Sequence, residues 1–222
     1  MFAIRHLSYH PTATPQPILR DVNLELAMGE LGLIVGASGS GKTTLLEIVA
    51  GLASPTRGVI QWHEQVLSPE HLQQLAGLVF QFPDRYFCGS TILEELRFGH
   101  PDIPYENLYR ALADVGLDHL PLHTRPESLS GGQQRRLALA VQLVRQPYLL
   151  LLDEPTAGLD WSMRQQLVQV LRRLKEHWSL LVVTHDATEL QDISDRCWRL
   201  EEGCLVPLPD TRTLTVPLST PK

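Results

Sequence analysis

Long apolar runs are missing from this chain: no stretch approaches the roughly 18 uninterrupted apolar residues that a membrane-spanning helix needs. Cysteine is scarce as well. Cys88, Cys197 and Cys204 fall into no ligand or redox spacing, which gives them no metal or catalytic role and suits a reducing compartment. There is no basic excess either. Nineteen Lys and Arg against 25 Asp and Glu leave a net charge of -6, with neither a basic stripe nor a long coiled coil, so nucleic acid is not an expected partner. The opening "MFAIRHLSYH" starts as a strand and has neither the apolar core of a signal peptide nor the Arg- and Ser-rich character of a transit peptide. His119 and His123 stand one helical turn apart, but Pro121 breaks a regular helix between them and no third or fourth ligand lies near, so zinc is not expected.

What is present is an ordinary globular mixture, 43% hydrophobic and 20% charged over 222 residues, without internal repeats. Short apolar runs alternate with helical patterns, the signature of an α/β fold with a buried parallel sheet. "LGLIVG" (31–36) leads into a glycine-rich turn and the helix "KTTLLEIVAG". "LLLLDE" (149–154) is unbroken apolar sequence, as expected of a strand covered on both faces. A helix follows with Leu167, Val170, Leu171 and Leu174 at i, i+3, i+4 and i+7, and then a second buried strand, "LLVVTH" (180–185). The early part, with "VIQWHEQVL" at 59–67, reads as antiparallel. Residues 83–145 read as an inserted helical lobe, in which Leu108, Leu112 and Val115 share one face of a helix bounded by Pro104 and Gly116. The domain is expected over 1–208, and the Pro- and Thr-rich tail 209–222 is expected to be flexible.

Two stretches look built for phosphate. Gly36, Ala37, Ser38, Gly39, Ser40, Gly41, Lys42, Thr43 and Thr44 form a P-loop in the strand-then-helix setting that such a motif requires. Its backbone N–H groups can close around a β-phosphate, Lys42 can bridge β- and γ-phosphates, and the Thr43 hydroxyl can bind Mg²⁺. Nearly a hundred residues later, "SLSGGQ" (128–133) puts a serine cap and two glycines before a long apolar-periodic helix, a second N-terminus that suits an anion. Asp153 closes a buried strand and can hold Mg²⁺ through water, and Glu154 beside it can polarise an attacking water. His185 ends the next strand at the same sheet edge, and Gln81 ends the candidate strand "LAGLVFQ", within reach of metal and water. Arg135 and Arg136, on the helix after "SLSGGQ", are expected to be exposed or interfacial.

The P-loop, "LSGGQ", "LLLLDEP", "AGLD" and "THD", in that order, resemble the nucleotide-binding subunits of ATP-binding cassette (ABC) proteins over about residues 2–206. The resemblance implies a P-loop NTPase fold of ABC type, with an antiparallel β subdomain and the inserted α-helical subdomain, binding ATP and Mg²⁺. It implies that Tyr9 stacks on adenine, that Gln81 is the Q-loop glutamine, and that Asp153 and Thr43 hold the metal. Glu154 would be the base, residues 157–160 with Asp160 the D-loop, and His185 the switch histidine. It also implies head-to-tail pairing with a second ABC subunit, a copy or a related paralogue, so that Ser130, Gly131, Gly132 and Gln133 meet the nucleotide of the partner.

"FQFPDRYF" resembles the Q-x-P-D segment of the energy-coupling-factor and cobalt-transporter branch. That implies an importer of a metal ion or vitamin, with the ATPase peripheral on the cytoplasmic face and a membrane subunit docking near Gln81–Phe87, beside Asp84. The chain departs from the branch at Phe82, usually polar, and at Arg85-Tyr86, where an acidic or polar residue with glutamine is more typical. A non-transport ABC ATPase, as in iron–sulfur cluster assembly, is the alternative that the Q-x-P-D segment speaks against.

Overall fold

Strand formation follows the apolar runs. A computed structural model describes residues 1–208, the side chain of Asp84 excepted; the tail 209–222 lies outside the described residues. Six strands build the main sheet: β3 (Leu31–Val35), β6 (Ala76–Val79), β7 (Leu149–Asp153), β8 (Ser179–Thr184), β9 (Arg196–Glu201) and β10 (Cys204–Leu208). Their order is β10-β9-β3-β8-β7-β6, parallel throughout except for the terminal β9–β10 hairpin. A second, antiparallel sheet joins β1 (Phe2–Tyr9), β2 (Leu19–Leu26), β4 (Arg57–Trp62) and β5 (Gln65–Val66) in the order β2-β1-β4-β5.

The pleat assigns the main sheet's two faces to two cores. Leu150 and Leu152 of β7, with Leu180 and Val182 of β8, pack against the helical lobe, whereas Leu149, Leu151, Leu181 and Val183 turn to the other side. On that other side lie α1 (Lys42–Val49) and the apolar face of the antiparallel sheet, Phe2, Ile4 and Leu7. Both layers are needed because a parallel sheet is apolar on both faces.

The stretch 83–145 holds α3 (Ile92–Leu96), α4 (Tyr105–Asp114) and α5 (Gly131–Leu143). Leu108, Leu112 and Val115 are fully buried, as their spacing requires. On α6 (Trp161–Leu174) the residues Leu167, Val170, Leu171 and Leu174 are buried likewise. Two boundaries differ from the sequence reading. Leu75 ends an unanticipated helix, α2 (Pro69–Leu75), begun by the Ser68 cap and Pro69 at its first position. Strand β6 stops at Val79, its last ladder partner being Leu152, so Gln81 lies in the following loop and does not end the strand.

Candidate functional site

Parallel α/β sheets collect ligands beyond the carboxyl ends of their strands. Here β3, β7 and β8 end together and deliver Gly36, Glu154 and His185 to one edge. A cavity of about 480 Å³ opens there, lined by Ile18, Ser38, Gly39, Gly41, Lys42, Thr43, Thr44, Gln81, Asp153, Glu154 and His185. Residues separated by more than a hundred positions in the chain thus share one polar wall.

The turn from β3 to α1 depends on glycine at two points. Gly41, the N-cap of α1, has φ 102°, and a Cβ there would meet Ile18 and Leu19 at 3.1 Å. Gly39 has φ 80°, and nothing lies within 4 Å of the place its Cβ would occupy. Inside the turn the Lys42 ammonium, 7% exposed, donates to the carbonyls of Gly36 at 2.8 Å and Ala37 at 3.0 Å and lies 3.5 Å from Glu154 Oε1. Among the described residues, Ser40 Oγ is buried without a hydrogen-bond partner. An unsatisfied hydroxyl, a buried cation and an open turn of N–H groups fit a phosphate chain.

Thr43 Oγ1 donates to Asp153 Oδ2 at 2.7 Å. A hydroxyl and a carboxylate side by side are hard oxygen donors, the set that Mg²⁺ takes when phosphate and water complete its shell. Burial, with Glu154 adjoining, holds the Asp153 carboxyl above its ordinary pKa, against the pull of Thr43 and Lys42. The charge of a bound cation would offset that desolvation.

Glu154 has a left-handed backbone, φ 46°, an uncommon conformation for a side chain of this type. Its carboxylate is buried and accepts from Thr184 Oγ1 at 2.9 Å, from the His185 N–H at 3.1 Å and from His185 Nδ1 at 2.8 Å, all at Oε2. Thus His185, just beyond the end of β8, meets Glu154 directly.

Other expected site residues lie elsewhere. Ser130 caps α5: its Oγ accepts from the Gln133 N–H, while Gln133 Oε1 accepts from the Ser130 N–H, a capping box. Neither these two nor Gly131 and Gly132 line the cavity. Ser130 and Gly131 are exposed, and a Cβ on Gly131 would meet nothing within 4 Å. Asp160 caps α6 through the Met163 N–H at 2.9 Å and is also outside the cavity. Met163 in turn lies against Gly132, so the Asp160 and Ser130 caps neighbour each other on one chain. Tyr9 is partly buried beside the antiparallel core; its carbonyl accepts from the N–H of Ile18, and it is Ile18 that lines the cavity.

The two arginines of α5 correct the sequence reading. Arg135 is 6% exposed, and its guanidinium donates to the carbonyls of Gln81, Ala157 and Glu154. Arg136 is half-buried and reaches the carbonyls of Val115 and Gly116, each at 3.2 Å. The periodicity of α5 holds the missing signal: Gly132, Arg135, Ala138 and Leu139 form one buried stripe.

The family model "ABC transporter" matches residues 19–157. An ABC transporter I family member 11, chloroplastic, of Arabidopsis thaliana is 45% identical over 216 residues, 90% of this chain and 78% of that protein. The energy-coupling factor transporter ATP-binding protein EcfA2 of Enterococcus faecalis is 37% identical over 215 residues, 90% of this chain and 74% of its own length. Among solved structures, cbiO1 of Clostridium perfringens, part of the ABC transporter complex cbiONQ, superposes with a TM-score of 0.87 at 26% identity, covering 96% of this chain and 89% of that one. The chain belongs to the ABC transporter family, as one of its ATP-binding and ATP-hydrolysing members.

Proposed function

We propose that this chain is the ATPase subunit of an energy-coupling-factor-like importer of a metal ion or vitamin, working as one half of a two-fold ATP sandwich. One observation carries the reading. The cap at Ser130–Gln133 is fully formed, with Ser130 and Gly131 exposed, yet it is not part of the chain's own phosphate cavity. An anion-binding helix end with no anion site of its own makes sense when a second subunit supplies the nucleotide.

Within each half, the P-loop amides and Lys42 hold the phosphates, and Thr43 with Asp153 would hold Mg²⁺, which would supply charge stabilisation at the phosphoryl group. Gln81 lines the same cavity and would lie within reach of the metal and the water. Glu154 takes the proton of the water, and His185 contacts the terminal phosphate. Tyr9, whose carbonyl accepts from the N–H of the cavity-lining Ile18, stacks on the base. Hydrolysis removes the bridge between the halves, converting phosphoryl transfer into opening and closing.

The membrane subunit docks on the loop after Gln81. Leu78, Val79, Phe80, Pro83, Tyr86 and Phe87 line an apolar pocket of about 140 Å³, with Phe80 and Tyr86 stacked at 4.9 Å. Tyr86 is 58% exposed, and the Arg85 guanidinium lies 4.6 Å from the centre of the Phe82 ring. The docking role read for Asp84 concerns a side chain outside the described residues. Location on the cytoplasmic face follows from that docking; among the described residues no helix is long and apolar enough to cross a membrane.

Glu154→Gln tests the chemistry. The variant is expected to bind ATP within about twofold of wild type, to lose roughly 10²- to 10⁴-fold in hydrolysis, and to elute as a dimer in MgATP. Hydrolysis at the wild-type rate removes Glu154 as the base, and turnover strictly first order in protein on dilution removes the sandwich. Pull-down from detergent-solubilised membranes is expected to bring an integral membrane protein with the tagged chain; recovery of only non-membrane partners refutes the importer.

A further inference from the structure

The two oxygens of the Glu154 carboxylate are not equivalent. Oε2 accepts three hydrogen bonds, from Thr184 Oγ1, the His185 N–H and His185 Nδ1. Oε1 has Lys42 Nζ at 3.5 Å, and both residues line the phosphate cavity. The three anchors also differ in stiffness. The His185 side chain is 59% exposed and must turn to the terminal phosphate in its proposed role. Thr184 is 1% exposed and sits in the last register pair of the β3–β8 ladder, opposite Val35. The Asp186 N–H donates to the Thr184 hydroxyl at 3.1 Å, which occupies one of its lone pairs. The hydroxyl proton has two acceptors in reach, Glu154 Oε2 at 2.9 Å and the Asp186 carbonyl at 3.0 Å, and the charged oxygen is the stronger.

We propose that Thr184 is a positioning residue for the hydrolytic step: its hydroxyl fixes Oε2 of Glu154 to the rigid end of β8, leaving Oε1 as the oxygen offered to the attacking water. The strained backbone of Glu154 makes such an anchor necessary, because a carboxylate on a left-handed residue has no helix or strand of its own to aim it. When the His185 ring swings to phosphate its Nδ1 bond to Oε2 is lost, and the Thr184 hydroxyl bond remains beside that of the His185 N–H. This rests on the assignment of Glu154 as the base.

The test compares Thr184→Val, which keeps shape and removes the hydroxyl, with Thr184→Ser, which restores it. In the full chain with MgATP, Thr184→Val is expected to lower kcat about 10- to 100-fold, the scale of a misplaced catalytic group. KM, and the affinity for a fluorescent ATP analogue, are expected to stay within about twofold, and the ATP-held dimer should decay more slowly in proportion to kcat. Thr184→Ser should recover kcat to within about threefold, and nucleotide-free crystals of Thr184→Val should show Glu154 in more than one rotamer. Wild-type kcat in Thr184→Val overturns the proposal. So does a parallel loss of nucleotide affinity that Thr184→Ser does not rescue, which marks a structural role. Thr184→Val added to Glu154→Gln should lower the residual rate no further, and an additive loss also overturns it. An active Glu154→Gln refutes the base assignment instead, so the two failures are told apart.

Discussion

Replacing Arg135 by methionine probes the point where the helical lobe meets the catalytic loops. The guanidinium donates to the Gln81 and Ala157 carbonyls, the latter at 2.9 Å, and to the Glu154 carbonyl at 3.5 Å. Methionine fills the space of the stem, so the volume change costs little, and the loss lies in the bonds. A hydrogen bond from a charged donor is worth about 1.5–3 kcal/mol, and the one at 3.5 Å counts for nothing. Two bonds therefore give roughly 3–6 kcal/mol, offset by the relieved desolvation of the buried cation to a net of about 3 kcal/mol. In a chain of 222 residues that corresponds to a fall in Tm of roughly 6–12 °C. Urea titration measures it directly, with an unchanged m-value as the sign that the native state is still compact. Turnover should fall further than stability explains, because the segments carrying Gln81 and Ala157 lose their common tether, while ATP affinity at the P-loop holds. Lysine, with one compact ammonium in place of the fork, should fall between. A stability loss under about 1 kcal/mol together with full turnover refutes the reasoning.

Three further outcomes follow from the same structure. A methyl group on Gly36 would lie 2.5 Å from the Leu200 carbonyl and 2.7 Å from Ser40 Oγ; Gly36→Ala should lose about 1–3 kcal/mol in urea titration and at least tenfold in ATP affinity. Ser179 Oγ, almost fully buried, accepts from the Gly29 N–H at 3.1 Å and donates to the Ala27 carbonyl at 3.2 Å, so Ser179→Ala should cost about 1–3 kcal/mol by the same measurement. Burial pushes the Cys197 thiol up from 9.0 to about 11, so the folded chain keeps its proton while the unfolded chain loses it. The stability this contributes is whole below about pH 9 and lost towards pH 11; relative to Cys197→Ala, wild type should therefore weaken over that window by roughly 2–3 kcal/mol. An alkaline denaturation series of the two proteins checks the sign.

Much of the fold was legible because its signals are local. Apolar runs of four or five residues mark β3, β7 and β8, and glycine spacing marks the turn into α1. Asp153, Glu154 and His185 could be placed at one edge because consecutive parallel strands end on the same side. Arg135 was not legible as buried from its charge. Its acceptors belong to loops 54, 19 and 22 residues away in the chain, and only tertiary structure brings those carbonyls to one point. Thr184 was hidden differently: a threonine in a β-branched strand reads as a propensity choice, and its partner lies 30 residues earlier. The limit of β6 at Val79 reflects the end of its ladder with β7, which no property of Phe80 or Gln81 announces.

The four leucines of β7 raise a question of phase. Shifted by one place, Leu149–Leu152 would put leucine where leucine was on both sides of the sheet, so oiliness alone scarcely tells the correct alignment from its neighbour. Only the two extremities discriminate. Before the run, the Tyr148 N–H is held by the Leu75 carbonyl; after it, the Glu154 N–H is held by the Val183 carbonyl and Asp153 meets Thr43. Deleting a single leucine would thus preserve greasy complementarity almost everywhere and still carry Asp153 to the wrong layer, yielding a chain that folds and cannot turn over.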